Sequence, residues 1–143
     1  MKMKKTTDDL LKVLKNSNTV DDYFEECDSE IFFGELHDMI NYFMVKKNVE
    51  KKDVVKRSGL SRTYAYEIIK GTTKSISRDK VIMICFGLGL TVDEAQQMLK
   101  KSGYAPLYAR DTRDSIILFS LENKIPVIPT NIKLEEFNHI PLE

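Results

Sequence analysis

At 143 residues the chain is one compact domain, or one domain with arms, and is long enough to bury a core of ordinary size. Its 22 basic and 22 acidic residues cancel, which argues against a histone-like, non-specific binder of nucleic acid. No apolar stretch follows the basic Met1 to Lys5, and the longest nearly apolar run, Val81 to Leu90, is about half of what a membrane span needs, so the expectation is a cytoplasmic protein with no membrane segment.

Thr6 to Lys15 has Thr caps, Asp8 and Asp9 in the first turn and Lys near the end, the charge order of a short helix. Thr19 to Cys27 restarts with Thr19 as cap and a stripe of Val20, Tyr23, Phe24 and Cys27. Together these segments form an acidic arm, residues 1–28, too short to stand alone. It docks on the main body, or it binds a protein partner or shields a basic face. Cys27 and Cys85 lie far apart and outside any CxxC spacing, so both are read as reduced and inert.

Ser29 is expected to open a long helix in which Phe33, Leu36, Met39, Ile40, Phe43 and Met44 recur at helical spacing, ending at Lys46 to Asn48. His37 has no second His or Cys at ligand spacing, so no metal or catalytic role is assigned to it.

The stretch from Val49 to Gly71 organises the chain. A short apolar-periodic segment ends at Gly59, and a second runs from Ser61 to Lys70 and is closed by Gly71. Gly suits the position just past a helix end and Ser61 is a good N-cap, so two short helices joined by a tight turn follow. On the second helix, Tyr64, Ala65, Ile68 and Ile69 share an arc that must be buried. Arg62, Thr63, Tyr66, Glu67 and Lys70 fill the opposite arc, a set of groups able to read base edges and phosphates in a major groove. On the first helix a run of charge is usually a solvated face, so only Lys51, near its start, is singled out. Residues 1–30 carry 5 basic and 8 acidic groups, a net of −3; residues 31–106 carry 13 against 8, a net of +5; residues 107–143 carry 4 against 6, a net of −2. The positive charge is thus concentrated around this motif, where it can steer a neutral protein to DNA.

Ser77 caps the next helix, whose run Val81-Ile82-Met83-Ile84-Cys85-Phe86 predicts burial on most sides. Gly87 and Gly89 allow close packing or end the helix. Thr91 and Glu94, three apart, form a capping box that opens a helix to about Ser102, stopped by Gly103, with Val92, Ala95, Met98 and Leu99 facing inward.

Residues 36–95 resemble the Cro/repressor-type (XRE-like, lambda-repressor-like) helix-turn-helix family. The matching residues are Val49, Val54, Gly59, Ser61, Arg62, Tyr64, Ile68, Gly71, Ser77, Ile84, Leu88, Gly89 and Glu94. The resemblance implies a DNA-binding transcriptional regulator with phosphate or base contacts at Lys51, Arg62, Thr63, Tyr66 and Lys70, and it places the loop with Lys74 near the DNA backbone. Two positions depart from the family: Glu50 stands where a Ser or Thr cap is usual, and Val55 where a small Ala is usual.

The last third repeats what precedes it at an offset of 35 residues. Arg78-Asp79 matches Arg113-Asp114, Ile82 matches Ile117, Val92 matches Val127, Leu99 matches Leu134, and Pro106-Leu107 matches Pro141-Leu142. A helix is expected over Asp111 to Asn123 and a partner over about Thr130 to Asn138, with Pro126 and Pro129 restricting the link between them. Ile116, Phe119 and Leu121 are assigned to core or assembly, covered by the final helix through Ile132, Leu134 and Phe137 or by a second subunit.

The expected architecture is therefore all-α: an N-terminal acidic helical arm (1–28), a lambda-repressor-like helix-turn-helix bundle (29–106), and an added C-terminal helical hairpin (107–143) repeating residues 78–107, the bundle's fourth and fifth helices. The sequence holds no phosphate-cradling Gly-rich loop, no GxSxG, no HExxH and no paired Cys/His ligand set, so neither catalytic residues nor a metal or other cofactor is assigned. The preferred function is a sequence-specific regulator that reads double-stranded DNA with residues 61–70, as a homodimer. The alternative is a protein-binding adaptor on a degenerate scaffold, using the arm or the hairpin. Zero net charge, Glu50 and Glu67 favour the alternative; the basic central segment and the polar arc favour the regulator.

Overall fold

A computed structural model describes residues 7–20 and 34–143, in which there are eight α-helices and no strand. The chain divides into two units, residues 1–34 and 35–143. In the first, α1 spans Thr7–Asn16, with Asp8 and Asp9 in its first turn and Lys15 in its last, in the sense that opposes the helix dipole. The Ser17 hydroxyl donates to the Val13 carbonyl at 2.7 Å and finishes the helix. Leu11, Leu14 and Val20 are exposed. The Thr6 cap, Cys27 and all but the first two residues of the proposed second arm helix lie outside the described residues.

The second unit begins with α2, Leu36–Lys46. The expected helix does not run unbroken into this segment: Glu35 is extended (φ −81°, ψ 177°), and its N–H is taken by the Asp38 carboxylate at 2.7 Å. That contact satisfies one of the donors a helix start leaves free, so the helix is set at Leu36. Ser29 to Phe33 lie outside the described residues. Met39, Ile40 and Phe43 are buried, whereas Leu36 and Met44 are half-buried.

Helices α3 (Lys51–Ser58), α4 (Arg62–Lys70), α5 (Arg78–Leu88) and α6 (Val92–Lys101) complete the bundle. Residues Val81 to Leu88 of α5 are all buried, as an apolar run without a polar face requires. Gly87 makes this central position tenable. A Cβ there would lie 2.7 Å from the Val54 carbonyl oxygen, so α3 and α5 meet backbone to backbone. At the start of α6, Glu94 is buried and receives Lys46 at 2.9 Å and Lys47 at 2.6 Å, while its second role is to accept the Thr91 N–H at 3.0 Å. Burial alone would raise this carboxyl's pKa, but the hydrogen bonds from Lys47, the Thr91 backbone and Lys46 outweigh it and lower the pKa to about 2. The end of α2 is thereby tied to the start of α6.

Two further helices follow, α7 (Thr112–Glu122) and α8 (Val127–Glu136). α7 is capped by the Asp111 carboxylate, which accepts the Asp114 N–H at 2.9 Å. α8 starts one turn earlier than Thr130. Pro126 is its N-cap residue and Pro129 sits in its first turn, where a missing N–H is harmless because no carbonyl precedes it in the helix.

The 35-residue offset recurs in the hydrogen bonds. Arg78 grips Asp114 (3.2 and 3.0 Å) and Arg113 grips Asp79 (3.1 and 2.9 Å), so each copy holds the other. Arg78 also donates to the carbonyls of Ala105 and Pro106, and Arg113 to those of Ile140 and Pro141. Gln96 makes a two-way pair with the Leu107 backbone, and Asn131 makes the same pair with Leu142. Gly89 ends α5 in the left-handed conformation, and Lys124 adopts that conformation after α7. The Lys124 ammonium then donates to the Gly89 and Leu90 carbonyls at 3.1 and 3.2 Å.

Of Ile116, Phe119 and Leu121, assigned to core or assembly, the core placement is corrected for the first two. Leu121 is buried, but Ile116 is only half-buried and Phe119 is 63% exposed. Ile132 and Phe137, expected to cover that face, are themselves more than half exposed, and only Leu134 of the three is buried. α7 buries Asp114, Ile117, Ser120 and Leu121, a set spaced three and four residues apart. A single stripe of that kind leaves Phe119 on the far side.

Candidate nucleic-acid interface

The pair α3–α4 is built by its caps. Asp53 accepts the Glu50 N–H at 3.2 Å at the start of α3, and Gly59 ends the helix at φ 76°. Ser58, fully buried, accepts the Leu60 N–H at 3.2 Å and donates to the Val55 carbonyl at 3.1 Å, which stiffens the turn. Ser61 accepts the Tyr64 N–H at 3.3 Å and starts α4. At its far end Gly71 takes φ 84° and donates to the Glu67 and Ile68 carbonyls, while the Thr72 hydroxyl adds a bond to Glu67. The turn and both ends of α4 are thus fixed by local hydrogen bonds.

Helix α2 holds α4 in place. Asn41 donates from its amide to the Ile69 carbonyl at 3.2 Å. The ring of His37 lies against Gly71, so close that a Cβ on that glycine would stand 2.5 Å from Nδ1. Neither residue stood out in the sequence as part of the site, since an isolated Asn or His carries no periodic signal. Ala65, Ile68 and Ile69 are buried beneath α4, while Tyr64 is half-buried, with the Lys80 ammonium 5.5 Å from its ring centroid.

The outward arc carries the groups assigned from the sequence. Arg62, Thr63, Glu67 and Lys70 are exposed and Tyr66 is half-buried. The Arg62 guanidinium lies 5.7 Å from the Tyr66 ring centroid, one turn along the same helix, which orients the side chain without neutralising it. Among the described residues, Arg62, Glu67 and Lys70 form no ion pair. Lys51 is exposed at the first position of α3, and Lys74 is exposed in the bend after α4. Glu50 is exposed with the Lys52 ammonium 3.3 Å away, an interaction weakened by solvent. No group of three or more His, Cys, Asp or Glu is placed to hold a metal among the described residues. None of the helices described is long and apolar enough to cross a membrane.

Residues 39–96, from within α2 to within α6, match the family model of the Cro/C1-type HTH DNA-binding domain, and the described residues there are helices and loops without a strand. No curated protein and no solved structure matches the chain significantly.

Proposed function

We propose that the Cro/C1-type domain of residues 39–96 makes this chain a sequence-specific transcriptional regulator, with α4 laid in the major groove of double-stranded DNA. The observation that carries this reading is the outward arc of α4. Arg62, Thr63, Glu67 and Lys70 point away from a face locked by Ala65, Ile68 and Ile69, and their charges are not spent on ion pairs within the described residues. Arg62 suits bidentate contact with a guanine, and Glu67 can accept from cytosine. Thr63 and Tyr66 suit phosphate or thymine-methyl contact. Lys51, Lys70 and Lys74 supply phosphate contacts that position the helix.

One helix of this length reads only a few base pairs, so the regulator acts as a homodimer on two half-sites about one helical turn apart, roughly 34 Å. The exposed apolar residues of the C-terminal hairpin, Phe119, Ile128, Ile132 and Phe137, support a role of residues 107–143 in assembly. The same residues favour the second reading, an adaptor that binds another protein.

Selection from a random DNA pool separates the two. An enriched motif with two related halves, lost when Arg62→Ala is used, is the expected result. Failure to enrich any sequence, even at low salt, would overturn the regulator and leave the adaptor.

A further inference from the structure

A cavity of about 450 Å³ lies between the end of α3, the second half of α5 and the link from α7 to α8. Its wall is mainly apolar and includes Phe86, Leu90, Leu121, Ile125 and Val127. The volume falls in the range of roughly 300–1,000 Å³ typical of small-molecule sites. Gly59, in the turn between α3 and α4, forms part of it.

Two features say what would fill this space. First, every charged side chain that lines it is a cation: Lys56, Arg57 and Lys124. Lys124 is fixed there by its two bonds to the Gly89 and Leu90 carbonyls. Lys56 and Arg57 are exposed and unpaired among the described residues. Second, Ser120 is part of the lining and adds a hydroxyl, able to donate or accept, to an otherwise mainly apolar wall.

We propose that this cavity is a binding site for a small amphipathic anion: an apolar body enclosed by Phe86, Leu90 and Leu121, and a carboxylate held at the rim by Lys56, Arg57 and Lys124. Cationic groups around an apolar pocket select for such a molecule, because each part of it replaces water with a matched neighbour. A hydrocarbon of the same size with an uncharged head forfeits the rim. A cationic one is repelled by it.

The test uses the full chain without DNA, so its outcome does not depend on how the helix-turn-helix is read. Decanoate, decanol and decyltrimethylammonium are titrated separately by calorimetry below their micelle-forming concentrations. The expected result is saturable one-to-one binding of decanoate, at least about tenfold tighter than decanol, from the value of a hydrogen bond to a charged group. Arg57→Glu combined with Lys56→Glu should remove that preference while leaving the melting temperature near that of the parent. Ser120→Leu, which fills the space, should weaken decanoate and decanol alike. No saturable binding of decanoate by a folded parent overturns the proposal. So does equal affinity for decanol, or a preference untouched by the paired Glu substitutions. If decanoate affinity instead falls as protein concentration rises, with a matching shift to dimer in sedimentation, the cavity is filled by a second copy and the small-anion site is overturned.

Discussion

The guanidinium of Arg78 and the carboxylate of Asp114 face each other in a two-pronged contact, with hydrogen bonds of 3.2 and 3.0 Å. Thirty-five residues on, the partners exchange: Arg113 takes Asp79. The environments differ. Asp114 is buried and also accepts the Tyr108 N–H at 3.0 Å, whereas the Asp79 carboxylate is more exposed. Asp114→Ala should therefore cost ~3–5 kcal/mol, since it removes the more buried carboxylate together with its bond to the Tyr108 N–H, and Asp79→Ala distinctly less. Urea unfolding of both variants measures this. Equal losses would mean that burial does not set the strength of these pairs.

Gly71 and Gly89 separate two reasons for a glycine. Both have positive φ, 84° and 67°, but a Cβ at Gly71 would collide with the His37 ring and one at Gly89 would meet nothing within 4 Å. Gly89→Ala should cost only the conformational penalty, ~1–2 kcal/mol. Gly71→Ala should cost more, because His37 must also give way. Denaturation midpoints for the two variants check the order, and an equal effect would show that the His37 contact carries no energy.

Glu94 makes stability depend on acid. Its folded pKa of about 2 lies below the ordinary value of 4.5, so its contribution is present above pH 4.5 and is lost as pH falls towards 2. The shift corresponds to up to ~3 kcal/mol. In Glu94→Gln the difference from the parent should be largest near neutrality and shrink through this window. Parallel stability curves from pH 6 to pH 2 would refute the assignment.

On DNA, Arg62→Ala should cost ~1–3 kcal/mol on the preferred site and relax its specificity. Lys70→Ala should weaken all sequences alike and reduce the salt slope by about one. Competition binding at several salt concentrations distinguishes these patterns. If both variants bind every DNA as the parent does, α4 is not the reading element.

Phe119 now carries a different expectation from a core residue. At 63% exposure in the single chain, Phe119→Ala should leave the unfolding free energy within about 0.5 kcal/mol when the protein is dilute. If a second copy covers this face, sedimentation will show weaker association. An unchanged association state would take Phe119 out of the assembly surface.

What the amino-acid order determined by itself is what depends on near neighbours. The Gly59-Leu60-Ser61 turn, the Ser61 and Ser77 caps, the Thr91–Glu94 box and the buried run of α5 are each set within a few residues, where spacing is a direct guide to geometry. The outward arc of α4 was legible for the same reason, because helical periodicity assigns its sides. The chain also announced the 35-residue copy through Arg78-Asp79 and Arg113-Asp114, though not that each Arg would reach across to the other copy's Asp. Only the tertiary structure decided that exchange, as it decided the contact of His37 with Gly71, the pairing of Lys46 and Lys47 with Glu94, and the exposure of Phe119. These depend on how helices approach one another, and an apolar residue such as Phe119 reads alike in sequence whether its neighbours cover it or leave it to solvent. The cavity beside Gly59 is the extreme case. Its lining comes from α3, α5 and the α7–α8 link, and no local pattern could have shown that they leave a space between them.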